Sequence, residues 1–287
     1  MVTGFLLLNK QEPIFVFFSK RIKKILVPLI VWSIVYTMFK IYYDHNISMS
    51  WTLFVDVVYK PVYFHLWFLY AIIALYLYIP ILRVLTQHVD NNVLYYFVCI
   101  WFITVGLIPF IELIFHIKMP MKYYLTMFSG YSGYLLLGFL LAQVSFTKMR
   151  LYITCVIFLF GLIVTIFGTY YLTVEKGKYV GYFDSYTSPN VILLANSTFL
   201  LIKFSVEKLQ IFNNKKIISF IAFVSSSSFG IYLIHIIFYR LLSNGSLGGT
   251  LSGFVGNPIW SVPLSVFTIF LFSLFILSKI PYLNKII

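Results

Sequence analysis

Long apolar runs, repeated along nearly the whole chain, constrain this sequence more than any motif does. At a threshold of 18 or more mostly apolar residues, eight such runs fall at about 25 to 43, 65 to 85, 93 to 115, 123 to 146, 151 to 173, 190 to 206, 217 to 241 and 259 to 280. Wound as an α-helix at about 1.5 Å per residue, a run of that length crosses the roughly 30 Å hydrocarbon core of a bilayer. Lipid offers no partner to a backbone N–H or C=O, so a spanning segment pairs its own backbone and is helical. The expected fold class is all-α: a polytopic integral membrane helix bundle with eight full transmembrane helices plus a partial N-terminal one. That partial helix is MVTGFLLL, apolar but only eight residues long, running straight into Asn9, Lys10 and Gln11.

Composition excludes the other classes. With 61% hydrophobic residues, 21% aromatic residues and a mean hydropathy of +0.95, the chain lies far outside the soluble range. The polar connections are too short for a separate soluble catalytic domain, so residues 1–287 read as a single membrane-embedded domain. A net charge of +13 would suggest nucleic acid in a soluble protein, but here the basic residues sit mostly between apolar runs. Positive-inside topology accounts for them, with the lipid bilayer as partner and no nucleic acid. Residues 1–8 have neither the basic lead nor the small-residue cleavage site of a secretory signal. Cys99 and Cys155 fall within apolar runs and read as packing residues, with no metal implied.

Orientation follows from the basic residues on each side of the zigzag. With segment 9 to 24 in the cytoplasm, the inside set is Lys10, Lys20, Arg21, Lys23, Lys24, Arg83, Lys148, Arg150, Lys203, Lys208, Lys215, Lys216, Lys279 and Lys285. The outside set is Lys40, Lys60, Lys118, Lys122, Lys176, Lys178 and Arg240, a division of 14 against 7. The expected localisation is a multi-pass protein of the cell membrane with a cytoplasmic C-terminus.

Small residues four apart, Ser129 with Gly133 and Gly138 with Ala142, predict close helix approach in the 123 to 146 run. Ser225 to Ser228 can bond their own helix carbonyls or a neighbouring helix. The stretch SNGSLGGTLSGFVGNP, residues 243 to 258, is uncharged and glycine-rich and reads as an outer connection rather than a phosphate cradle.

Ionisable groups at membrane depth are costly and mark candidate sites. On the cytoplasmic side, Arg21 and Lys24 in FFSKRIKKILVP are three apart and share a helix face. A guanidinium and an ammonium there suit a phosphate-bearing cytosolic ligand, and they equally suit an anchor that holds the span the right way round. On the outer side stand His65 and Trp67 in FHLWFLY, Tyr232, His235 and Arg240 in SSSSFGIYLIHIIFYR, and Glu112 on another helix. A histidine can carry or accept a proton near neutral pH, and Glu112 at matching depth could hold His235 or pair with Arg240.

Taken in order, VTGFLLL, FFSKRIKKILVPLIVWS, HLWFLYAIIALYLYIPIL, GYLLLGFLLA and SSFGIYLIHIIFY resemble membrane acyltransferase family 3, related to polysaccharide O-acetyltransferases, over essentially the whole chain. The resemblance implies transfer of an acyl group, acetyl by expectation, from cytosolic acyl-CoA to a hydroxyl of a cell-surface glycan. No cofactor is implied beyond acyl-CoA as donor substrate. The family's arginine pair falls on Arg21 and Lys24, which implies donor binding; lysine at the second position lacks the planar fork for a bidentate phosphate grip. His65, His235 and Glu112 are the catalytic candidates, and Trp67, Tyr232 and Arg240 are the substrate-binding ones. The resemblance also implies a helix before VTGFLLL that carries a basic residue and the base histidine. The expectation is that residues 1–287 lack that base, are inactive as they stand, and derive from a shortened reading frame. The rival class is an exporter of polysaccharide or lipid-linked sugar, which needs no such base.

Overall fold

The computed structural model describes residues 1–43, 60–120, 130–208, 214–243, 264 and 266–271, and among these there is no strand. Eight helices carry the fold: α1 (Val2–Leu7), α2 (Ile14–Tyr43), α3 (Trp67–His88, entered through a 3₁₀ turn at Phe64–Leu66), α4 (Asn91–Phe115), α5 (Ser132–Ala142), α6 (Lys148–Lys176), α7 (Pro189–Lys208) and α8 (Lys215–Ser243). Residues 264 and 266–271 are also helical. Among the described residues, six helices are long and apolar enough to cross a membrane: α2, α3 with its entry turn, α4, α6, α7 and α8. The chain is an all-α, multi-pass membrane protein.

The helices depart from the expected boundaries in ways the local sequence explains. The first long helix starts at Ile14 rather than near 25, directly after Pro13, so the basic residues from Lys20 to Lys24 lie on the helix and not in a loop before it. At 30 residues it is about 45 Å long, which leaves its basic N-terminal turns beyond the hydrocarbon core. The run at 123 to 146 is helical from Ser132 to Ala142 and ends before Val144; residues 121–129, Ser129 among them, lie outside the described residues. So do the 244 to 258 part of the glycine-rich stretch and most of the run at 259 to 280.

Helix ends are set by local chemistry. The Thr147 side chain accepts a hydrogen bond from the Arg150 N–H at the start of α6, and Gly177, at φ +64°, closes its end in the left-handed region. Within α4, residues Ile103–Leu107 form a π turn just before Pro109. Proline has no N–H to return to the Val105 carbonyl four residues back, so the helix widens there.

The chain forms two compact units. The first comprises Met1–Ile14 and Ala74–Gln210, and the second comprises Phe15–Ile73 and Ile211–Ile287. In the first, Trp101, Leu137 and Ile192 form a buried centre with Met1, Val98, Phe102, Val105 and Tyr134 packed against it. Two glycines of α5 permit this. A Cβ on Gly133 would overlap the Trp101 ring, and one on Gly138 would overlap the Met1 carbonyl. The expected close approach at Gly133 and Gly138 is therefore realised, by α4 and by the start of α1. In the second unit, one face of α2 is buried through Ile25, Leu29, Trp32, Ser33 and Tyr36, with Leu233 and Ile236 of α8 also buried.

Outward faces are apolar: Phe160, Ile163, Ile166 and Phe167 of α6 each expose more than half of their surface. In water such a surface would aggregate, whereas in lipid it is ordinary. Ser226 and Ser228 donate to the carbonyls of Phe223 and Ser225, so these serines bond within their own helix.

Candidate functional site

In the second unit a ring of polar aromatic side chains gathers around His65. The 3₁₀ turn seats this histidine on the first turn of its helix, where it is 6% exposed. The His235 ring stands edge-on to it at 5.4 Å between centroids, Tyr36 at 4.9 Å and Tyr232 at 5.6 Å. Tyr36 donates its hydroxyl to the Leu233 carbonyl at 2.6 Å, and Tyr232 donates to the His65 carbonyl. These two bonds tie α2, the entry to α3 and α8 together around the pair.

The two imidazoles differ in their hydrogen bonding. His235 Nδ1 lies 2.7 Å from the Tyr232 carbonyl and 3.2 Å from that of Ile231. Carbonyls only accept, so Nδ1 carries a proton, and in the neutral ring Nε2 keeps its lone pair. His65 has both ring nitrogens buried without a hydrogen bond among the described residues; the Leu233 carbonyl faces the ring without closing one. A basic nitrogen beside a second, uncommitted imidazole can accept a proton from a bound hydroxyl and pass it on.

The remaining candidates are distributed around this centre and beyond it. Arg240 donates from Nε to the Tyr63 hydroxyl at 2.9 Å, and Tyr63 lies 5.9 Å from His65, ring to ring. Trp67 packs edge-on to Phe68 at 6.1 Å, and Phe68 in turn packs on Tyr232 at 5.7 Å. Arg21 and Lys24 sit three apart on the N-terminal part of α2. The Arg21 guanidinium lies 4.4 Å from the centroid of the buried Phe17 ring, and Lys24 is exposed. Glu112 belongs to the first unit, where its carboxylate accepts from the Met119 N–H at 2.9 Å. In the loop after α6, burial and then the Glu112 carboxylate push the Tyr182 phenol up to about 12.

Sequence reasoning missed Tyr36 and Tyr63. Tyr63 directly precedes the HLW stretch. Tyr36 lies on one face with Trp32 and Ser33 in WSIVY, a polar stripe in an otherwise apolar run and the signal that could have pointed to it. Two basic residues assigned to the cytoplasmic rim have internal partners. Arg83 Nε donates to the Leu7 carbonyl at 2.8 Å, and Lys203 donates to the Val144 carbonyl and lies 3.4 Å from Glu207.

A family model described as an acyltransferase domain matches residues 1–278. Comparison with curated proteins and with solved structures returns no match.

Proposed function

The chain belongs to membrane acyltransferase family 3 and is an acyltransferase; from that premise we propose that it moves an acetyl group from cytosolic acetyl-CoA to a hydroxyl of a cell-surface glycan. In this reading the protein lies in the cell membrane with its C-terminus in the cytoplasm. Arg21 and Lys24 hold donor phosphate at the cytoplasmic end of α2. Tyr36, beside the histidine pair, is 15 residues further along the same helix, about 22 Å away. A long, flexible thioester arm suits that separation. In place of the base that the resemblance puts on a further helix, His235 Nε2 takes the proton of the acceptor hydroxyl as its oxygen attacks the thioester carbonyl, so in this proposal residues 1–287 are active. The C–S bond then breaks, and the proton passes to the departing thiolate. Buried His65 keeps the neighbourhood of His235 free of bulk water, and Tyr232, Trp67 and Arg240 line the acceptor side.

The observation that carries the reading is the fixed tautomer of His235, which leaves Nε2 as an acceptor beside His65. The test is acyl transfer by the full chain in lipid nanodiscs, with acetyl-CoA and a glycan acceptor. His235→Gln is expected to lower kcat about a hundredfold or more while leaving donor affinity unchanged. Arg21→Ala with Lys24→Ala is expected to raise the KM for donor roughly tenfold per lost contact. Unchanged kinetics in both variants would reject the assignment. Mass analysis of surface glycan separates transfer from export: a missing acetyl increment on gene deletion supports transfer, and missing glycan of unchanged composition supports export.

A further inference from the structure

Within the second unit, the Leu233 carbonyl oxygen is faced by three donors. Tyr36 donates its hydroxyl to it at 2.6 Å, and Ile237, four residues further along α8, is its partner in the helix ladder. The Ile237 N–H also faces the Tyr36 oxygen, so the phenol stands at the edge of that helical bond. The third donor is the His65 ring, which this carbonyl faces without closing a hydrogen bond. A carbonyl oxygen has two lone pairs, and the Tyr36 hydroxyl and the Ile237 N–H take both. His65 is thereby left as a buried imidazole with neither nitrogen bonded among the described residues.

The Tyr36 side chain is fixed in this place. It is fully buried, with the Trp32 and Phe39 rings of its own helix 5.9 and 6.4 Å from it and the Tyr63 ring at 4.9 Å. Its ring meets that of His65 edge-on at 4.9 Å. Close packing of this kind holds a side chain to one rotamer, so the hydroxyl stays on the carbonyl. A buried imidazole beside a free carbonyl would ordinarily bond to it, since an unmet polar group is costly there.

We propose that Tyr36 is a positioning residue: its hydroxyl occupies the Leu233 carbonyl, so that His65 stays unbonded and serves as the proton partner of His235. An imidazole relays a proton by accepting on one nitrogen and releasing from the other. An N–H given to a peptide carbonyl is held there, because the carbonyl is no base, and the relay stops. With the carbonyl taken, His65 is free to share the proton of the His235 imidazolium, ring against ring at 5.4 Å. The net count is that of the transfer itself: one proton leaves the acceptor hydroxyl and one reaches the departing sulfur. The use of the relay rests on the acyl-transfer reading, whereas the unbonded state of His65 does not.

The test uses the full chain in lipid nanodiscs with nitrogen-15 in its histidines, and His65 is assigned by the signals lost in His65→Phe. In the unaltered chain the His65 ring N–H is expected at the proton shift of an unbonded imidazole. In Tyr36→Phe it is expected to move downfield and to exchange more slowly, as the bond to Leu233 closes. A bonded His65 N–H in the unaltered chain, or the same His65 signals in both chains, would overturn the proposal. Kinetics then read the relay. Tyr36→Phe is expected to lower kcat roughly tenfold at unchanged KM for donor, and to change kcat by less than about twofold when His65→Phe is already present. An equal loss in both backgrounds would mean that Tyr36 acts through packing alone and would also overturn the proposal. Unchanged kinetics in His235→Gln would remove the acyl-transfer reading, while the His65 signals would still decide whether Tyr36 holds the carbonyl.

Discussion

A buried guanidinium in a membrane bundle is costly unless each of its faces is met, and Arg83 shows how this chain meets them. At 6% exposure, it donates from Nε to the Leu7 carbonyl, the last of α1, and lies 3.7 Å from the Glu12 carboxylate. It thereby closes the C-terminal end of α1 and holds the link that follows. Arg83→Met is expected to destabilise the protein by about 2–4 kcal/mol, since it removes the ion pair of the mostly buried Glu12 carboxylate and leaves a helix end uncapped. Unfolding in detergent measures this. Adding Glu12→Gln to Arg83→Met is expected to cost less than the sum of the two single changes, as a coupled pair requires. Equal, additive losses would show that the two side chains act independently. In sequence, Arg83 was indistinguishable from the rim cations because its charge and depth were legible and its partners were not. Both partners lie more than 70 residues away in the chain, and only folding brings them near.

Among the helices, the pattern legible in sequence was that of spacing. Small residues along GYLLLGFLLA announced close approach, and α5 is indeed met by Trp101 at Gly133 and by Met1 at Gly138. Gly138→Val is expected to push α1 off α5 and destabilise by about 1–3 kcal/mol, through overlap that no rotamer relieves. Proteolysis of the 9–13 link, or Tm, reads the effect; a Tm equal to wild type would mean that α1 does not pack there. The spans themselves were legible from apolar length, but α2 was placed 11 residues too late because basic residues were counted as loop. Long basic side chains beyond the lipid do not stop a helix, since their stems run along it while their charged ends reach water. The π turn at Ile103–Leu107 was hidden for a related reason: Pro109 signalled a break, and the helix widened instead of ending. The histidine pair was legible as two residues at equal depth. Their contact, with Tyr36 between α2 and α8, depended on which helices pair, which periodicity does not encode.

For the whole molecule, the proposed donor site at Arg21 and Lys24 requires that the N-terminal end of α2 face the cytosol, where acyl-CoA is made and kept. The basic count places Lys24 inside and Lys178 outside, with an odd number of crossings between them: the expected runs from 25 to 173 number five. That gives a prediction with two arms. In a chain whose Cys99 and Cys155 are replaced by alanine, Lys178→Cys is expected to react with a membrane-impermeant maleimide on intact cells. Lys24→Cys is expected to react only after the membrane is opened. Labelling of both positions on intact cells would mean an even number of crossings, so that one of the five runs does not span. The run at 123 to 146, with its short helix Ser132–Ala142, would be the first to re-examine. Labelling of Lys24→Cys alone would invert the molecule. Arg21 and Lys24 would then face a compartment without acyl-CoA, and the proposed direction of acyl transfer would fail at its starting point.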